Sequence, residues 1–235
     1  MKIIFAGPSL PDAALLAGEA IRVLPPAVQG DVLAQVEQGA NVIGLIDGGF
    51  EYAAPVWHKE ILHALSLGVA VLGAASMGAL RAAECHPFGM IGIGRIFEDY
   101  RSGRLVDDAA VALIHAPSAL SSKPLTIPLV NVSATLDAME DRGLLAAGLR
   151  QKLEDAASAI FFKKRTWRAI VEQCADMAEP GRPQLLAALV SNSVDQKRID
   201  ALELLKAVQD ARDTRSNADP PWKLHETSFR TRPTP

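Results

Sequence analysis

Along the first hundred residues, apolar runs and mixed segments take turns in the rhythm of strands and helices. Lys2 to Ala6 is a near-continuous apolar run, the pattern of a buried strand. Gly7-Pro8-Ser9-Leu10-Pro11 is a turn that leads into a helical segment. Ile21 to Leu24 is a short apolar piece stopped by Pro25-Pro26. Asp31 is placed to cap a helix through Gln38, with Val32 and Val36 on one face and Gly39 at its end. Asn41-Val42-Ile43-Gly44-Leu45-Ile46-Asp47 reads as a second strong strand, followed by Gly48-Gly49-Phe50. A helix is expected from Val56 to Leu67, ended by Gly68. Val69 to Gly73 is a further strand that runs into Ala74-Ala75-Ser76, and a helix-forming segment starts at once. Strand, helix and strand in this order, with apolar strands, predict a parallel sheet with right-handed crossovers.

Further on, Gly89 to Gly94 is glycine-rich, and Ile96 to Ser102 reads as a helix closed by Gly103. Ala109 to His115 has the texture of another buried strand, and a loop with three prolines spans Pro117 to Pro128. After Ser133 the pattern becomes helical: Ser133–Arg142, Ala147–Phe162, Trp167–Ala178, Pro183–Asn192 and Asp195–Arg212. The expected fold class is α/β, a parallel sheet with flanking helices followed by a helical C-terminal region. The expected domains are a core over 1–135, a helical region over 136–215 and a disordered tail over 216–235.

Charge and cysteine usage narrow the function classes. The 235 residues carry 24 basic and 27 acidic side chains, a net charge of −3. That lacks the Lys and Arg excess on which nucleic-acid binding relies, so no nucleic-acid partner is expected. Two cysteines, Cys85 and Cys174, do not make a disulfide framework and fit a reducing cytoplasm. The apolar stretch before Gly7-Pro8 is short for a signal peptide. No apolar run approaches the roughly 18–20 residues of a membrane span, so no membrane partner is expected either.

Ser76, at the turn between a strand and a helix, has three readings. It can cap the helix, act as a nucleophile or bind an anion, and spacing alone ranks capping first. The segment is not Gly-x-Ser-x-Gly, because Ala74 stands at the first glycine position. Gly48 and Gly49 follow a strand, where glycines let backbone N–H groups approach an oxyanion or phosphate, or simply allow a tight turn. No complete dinucleotide or phosphate-loop pattern accompanies them. His58 and His63 are not aligned on one helix face, so no metal site is expected there; His58, near the helix start, can face the sheet edge. Arg81 can pair with Glu84 or reach a carboxylate or phosphate near Ser76. Asp107 and Asp108 can orient a histidine, serve a metal or lie solvated. His115 closes the predicted strand, where ligands bind in parallel sheets. It is the best candidate base for Ser76, with a structural histidine as the alternative.

Several of these runs resemble a known family. Gly48-Gly49-Phe50, Pro55-Val56-Trp57-His58-Lys59-Glu60-Ile61-Leu62, Gly73 to Glu84, Gly89-Met90-Ile91-Gly92-Ile93-Gly94 and Asp107 to His115 resemble the TfuA-like core domain over about residues 41–135. The resemblance implies a companion of a YcaO-type enzyme in installing thioamides on ribosomally synthesised peptides, or on a glycine of methyl-coenzyme M reductase. In two places this chain departs from the family pattern: Ala109-Ala110 stands where an acidic residue follows Asp-Asp, and no arginine lies near Ser133. A second, shorter resemblance bears on chemistry. Ala74 to Ala79 is similar to the segment around the nucleophile of Clp-type serine proteases, Ile114-His115-Ala116-Pro117 to that around their histidine, and Gly48-Gly49 to their oxyanion glycines.

Together these imply release of sulfide from a thiocarboxylated ubiquitin-like sulfur carrier. Ser76 would attack, His115 would take the proton with Asp107 or Asp108 orienting it, and N–H groups of Gly48, Gly49 or Met77 would hold the oxyanion. Arg81 or a helix N-terminus would offset the thiocarboxylate charge. The YcaO enzyme supplies ATP-dependent activation, so no cofactor is expected here, and the precursor peptide would be met through that partner. Two alternatives follow from the same residues: a non-catalytic adaptor that docks YcaO or the carrier, with Ser76 as a cap, and a Clp-like serine peptidase or esterase.

Overall fold

The structure, a computed structural model, describes residues 1–49, 51–116, 124–174 and 181–225. They pack as two compact units: Met1–Val106 with the described residues from Asp200 onward, and Asp107–Ile199.

In the first unit the apolar runs become β1 (Lys2–Phe5), β2 (Ile21–Leu24), β3 (Val42–Leu45), β4 (Ala70–Gly73) and β5 (Ile91–Gly92). They form a sheet in the order β2-β1-β3-β4-β5, and every pair is parallel. Lys2 lies opposite both Ile21 and Val42, and Val42 opposite Ala70. Helices α1 (Ala13–Ala17), α2 (Asp31–Glu37), α3 (His58–Ser66), α4 (Met77–Cys85) and α5 (Arg95–Arg101) make the connections and follow the last strand. The expected parallel α/β core is therefore present, with β5 added inside the glycine-rich stretch. Gly92 pairs with Gly73 in that strand, and a Cβ on it would overlap the Phe97 ring.

One face of the sheet is covered by the end of the chain. Ile4, Val42, Ile46 and Leu72 pack with Leu204, Leu205 and Val208, which belong to α10 (Gln196–Asp210). Gly44 lets that helix lie close, since a Cβ on it would sit 2.8 Å from Leu204 Cδ2. The following segment ties down the amino ends of the strands. Asp213 pairs with the Met1 amino group and accepts from Asn41 Nδ2, Arg215 donates to the carbonyls of Val36 and Ala40, and Ser216 N–H donates to Gly68 O. Trp222 Nε1 then donates to Phe88 O at 3.0 Å.

Glu60 joins two helix starts. Its buried carboxylate accepts from Gly30 N at 2.8 Å, ahead of α2, and from Trp57 N at 3.2 Å, ahead of α3. Both donors are orphan groups of helix N-termini. Glu60→Ala leaves these two half-buried donors to solvent, and we expect a loss of about 1–3 kcal/mol in urea unfolding, below the ~1–3 kcal/mol each that fully buried unsatisfied donors would cost.

The second unit holds α6 (Leu129–Asp141), α7 (Ala147–Ala159), α8 (Trp167–Gln173), α9 (Arg182–Ser191) and the start of α10. Leu136, Met139, Leu153, Ile170 and Leu189 form its core. Buried Arg165 closes α7 by donating to Ala157 O and Ile160 O. The strand expected over 109–115 is not there. Asp107 accepts from Ala109 N at 2.9 Å and starts a 3₁₀ turn, Asp108–Ala110, and the chain beyond it is irregular apart from an isolated bridge of His115 to Pro124. A carboxylate able to bond its own backbone competes with a ladder, and alanines add little to hold one. Of the predicted proline loop, residues 117–123 lie outside the described residues, as do 175–178 of the helix expected to Ala178 and 226–235 of the expected tail. Among the described residues no helix is long and apolar enough to cross a membrane.

Candidate active site at the carboxyl edge of the sheet

Strand order reverses between β1 and β3, and in open parallel sheets the crevice beyond the carboxyl ends at such a point is where ligands bind. Three connections meet there: the turn after β1, the Asp47-Gly48-Gly49 turn after β3, and Ala74-Ala75-Ser76 after β4.

The turn after β3 is held from two directions. Asp47 is 4% exposed. Its Oδ2 accepts from Gly7 N at 2.8 Å and Ser9 N at 3.0 Å, and its Oδ1 from the Ser9 hydroxyl at 2.6 Å. Its backbone carbonyl accepts from Ala27 N at 3.0 Å, and Gly49 N–H donates to Ala27 O at 2.8 Å. In this parallel bridge the bonds to Ala27 come from the residues flanking Gly48. A trans peptide points its N–H opposite its carbonyl, so Gly48 N–H faces away from Ala27. It has no partner among the described residues. A Cβ on Gly48 would lie 2.9 Å from Met77 Cγ, so the first residue of α4 is its neighbour.

The turn after β4 is strained. Ala75 has φ +67°, and Ser76 N–H donates back to Ala74 O at 2.7 Å, a tight γ-turn that L-residues rarely adopt. Ser76 occupies the N-cap position of α4 and is half-buried, yet its hydroxyl makes no capping hydrogen bond. Its backbone carbonyl accepts from Ala79 and Leu80. Gly78 N–H donates to Ile46 O at 3.3 Å, whereas Met77 N–H has no partner among the described residues. Of the backbone donors singled out in the sequence, Gly49 is therefore spent, while those of the neighbouring residues Gly48 and Met77 have no partner among the described residues. Glycine makes the close approach possible: a Cβ on Gly78 would overlap Leu45 O, and one on Gly73 would overlap Gly78 O.

His58 and Arg81 are engaged elsewhere. Both bond Glu84 Oε2, His58 Nε2 at 2.8 Å and Arg81 Nη1 at 2.6 Å, and buried Arg81 also donates from Nε to Val56 O at 2.8 Å. Glu84 stands two turns beyond Ser76, about 12 Å along the helix at 1.5 Å per residue. Partial burial pushes the Glu84 carboxyl up, but the hydrogen bonds from His58 and Arg81 outweigh it and leave the carboxyl below its ordinary 4.5. A depressed carboxyl contributes stability above its unfolded pKa, and that contribution is lost as pH falls through the folded value. The stability gap between wild type and Glu84→Gln is thus expected to be full at neutral pH and to close below pH 4.5; thermal melts across acid pH check it.

In the second unit His115 is exposed, and its Nδ1 lies 2.8 Å from Ala116 O. A carbonyl only accepts, so Nδ1 carries the proton and neutral His115 keeps its lone pair on Nε2. Thr126 Oγ1 accepts from Ile114 N at 2.8 Å and buried Lys197 donates to Val111 O at 2.8 Å, which pins the segment leading to it. Asp107 caps the 3₁₀ turn and Asp108 lies exposed on it. Ser76, Gly48 and Met77 thus belong to one unit, and His115, Asp107 and Asp108 to the other. Among the described residues no group of three or more His, Cys, Asp or Glu side chains gathers as metal ligands do.

A residue that sequence reasoning left out is Asp47 as a clamp. Its Ser9 partner is 38 positions away, and no local pattern signals such a bond. Against known proteins, the family model for TfuA-like proteins matches residues 47–166, just over half of the chain and a span that includes Asp47, Gly48, Ser76, Met77 and His115. No curated protein matches the chain.

Proposed function

Because the chain belongs to the TfuA-like protein family, we propose that it serves a YcaO-type enzyme in thioamide formation on ribosomally synthesised peptides, by hydrolysing a thiocarboxylated ubiquitin-like sulfur carrier and so releasing sulfide in the cytoplasm. The observation that carries this reading is a serine hydroxyl left out of its own helix cap, at a turn where two neighbouring residues, Gly48 and Met77, have backbone N–H groups with no partner among the described residues. A donor from the residue after the nucleophile and one from the loop after a neighbouring strand is the arrangement by which serine hydrolases hold an oxyanion.

The chemistry proceeds in two halves. Ser76 Oγ bonds to the thiocarboxyl carbon, its proton passes to His115 Nε2, and the carbonyl oxygen takes up negative charge facing Gly48 and Met77 N–H. The C–S bond then breaks, His115 returns the proton to sulfur, and HS⁻ leaves an ester on Ser76. Water attacks that ester with His115 again taking the proton, the carrier departs as its carboxylate, and the serine is regained. A thiocarboxylate is anionic and resists attack. Arg81 is tied to Val56 and Glu84, so the offset falls to the start of the nine-residue α4, where the helix end carries roughly half a positive charge. Asp107 and Asp108, shortly before His115 in the chain, are proposed to stabilise its imidazolium. The precursor peptide is met through YcaO.

The test is sulfide release from a chemically thiocarboxylated carrier, with YcaO absent, followed by mass spectrometry of carrier and sulfide. Release that depends on Ser76 supports the reading. No release, while thioamidation by YcaO still requires the protein, makes it an adaptor.

A further inference from the structure

We infer that Asp47 is a positioning residue that fixes the direction of the Gly48 N–H, through the bracket its buried carboxylate makes with Gly7 and Ser9. The inference rests on the reading of Gly48 and Met77 as oxyanion donors. Two consecutive glycines leave a donor uncovered, but they also leave its peptide plane free to turn. An oxyanion hole works only if its donors are held before charge develops. Gly48 supplies none of that rigidity itself. The peptide that carries its N–H begins at Asp47, and Asp47 is tied at both ends: its carbonyl to Ala27 N, its carboxylate to Gly7 N, Ser9 N and Ser9 Oγ. The turn after β1 is itself wedged in place, because a Cβ on Gly7 would lie 2.5 Å from Pro26 Cγ. All three acceptor contacts of Asp47 are thus made to a loop that cannot drift away.

Asp47 acts through hydrogen bonds and not through its charge, which sits on the wrong sign for an oxyanion. Asn satisfies the same bracket. Its carbonyl oxygen accepts from Gly7 and Ser9 N–H, and its amide donates to Ser9 Oγ, which reverses its own proton. Ala removes the bracket entirely.

The experiment compares full-length wild type, Asp47→Asn, Asp47→Ala, Ser9→Ala and Ser76→Ala. Residual dipolar couplings of the Gly48 amide in ¹⁵N-labelled protein report its orientation without any reference to activity. A fluorophosphonate, which phosphonylates an activated serine and places its oxygen in an oxyanion hole, reports function. The expected result is a Gly48 coupling averaged to well under that of wild type in Asp47→Ala and restored in Asp47→Asn. Labelling of Ser76 slows by about tenfold or more in Asp47→Ala, the scale of weakening one oxyanion donor, and returns in Asp47→Asn to wild-type rate or above. Ser9→Ala, which removes one of three contacts, gives a smaller loss and carries the test if Asp47→Ala does not fold. An unchanged Gly48 coupling in folded Asp47→Ala and Ser9→Ala, or an Asn variant as impaired as Ala, overturns the inference. Restored coupling in Asp47→Asn with no labelling of Ser76 in any protein upholds the bracket and removes the serine reading instead.

Discussion

Ser76→Ala is expected to abolish sulfide release, lowering kcat by about 10⁴-fold or more, the scale seen when a serine hydrolase loses its nucleophile. The same substitution is expected to leave the melting temperature almost unchanged. A serine that caps a helix costs about 1 kcal/mol when replaced by alanine, which for a chain this size moves the midpoint by about 2–4 °C. Here the hydroxyl makes no capping bond, so that cost does not arise. The pair of measurements separates the readings of this residue. A nucleophile loses activity and keeps stability; a cap loses stability and keeps activity. Carrier hydrolysis followed by trapping of sulfide with a thiol-reactive fluorophore, beside a thermal melt, gives both. Equal release by wild type and variant removes Ser76 from the chemistry.

How much of this is legible in the sequence depends on how far apart the determining residues lie. β1, β3 and β4 are legible because each is a run of apolar residues bounded by turn residues, and the information is local. β5 is not, since its two residues are set by an existing edge, and by the room that Gly92 leaves for Phe97. The 109–115 segment carries strand-like apolar texture, but a single cap at Asp107 takes its first residues into a turn. At the site, the serine and its glycines stand out as small residues between a strand and a helix. Which N–H is free is not readable, because it depends on Ala27 taking Gly49 and Ile46 taking Gly78. The lone pair of His115 is likewise settled by Ala116 O, a contact that spacing does not suggest. Chemistry-bearing residues are therefore visible by type, while the hydrogen bonds that decide what each can do, to the next residue at His115 and to one 38 positions away at Asp47, are set by the local fold and not by residue type.

The second large effect is expected at Gly78, where two physical terms oppose each other and their sizes decide the sign. Within a helix, Gly→Ala gains about 1 kcal/mol from propensity alone. At Gly148 in α7 nothing lies within 4 Å of the added Cβ, so Gly148→Ala is expected to stabilise by about 0.5–1 kcal/mol. At Gly78 the added Cβ overlaps Leu45 O and meets Leu45 C at 2.5 Å. These are backbone atoms of a strand paired on both sides, by β1 and β4, so no rotamer change relieves the overlap. Helix α4 must move outward, which breaks Gly78 N–H from Ile46 O and opens the packing at Gly73. Overpacking of this kind costs about 1–3 kcal/mol where side chains can yield and more where they cannot, so a net loss of about 3 kcal/mol or more is expected in the urea midpoint of Gly78→Ala. Because the same displacement carries Met77 away from its neighbour Gly48, any Gly78→Ala protein that still folds is expected to label Ser76 slowly with fluorophosphonate. A stable variant that labels at the wild-type rate would show that α4 does not need this close seat on β3, and that the two donors do not depend on it.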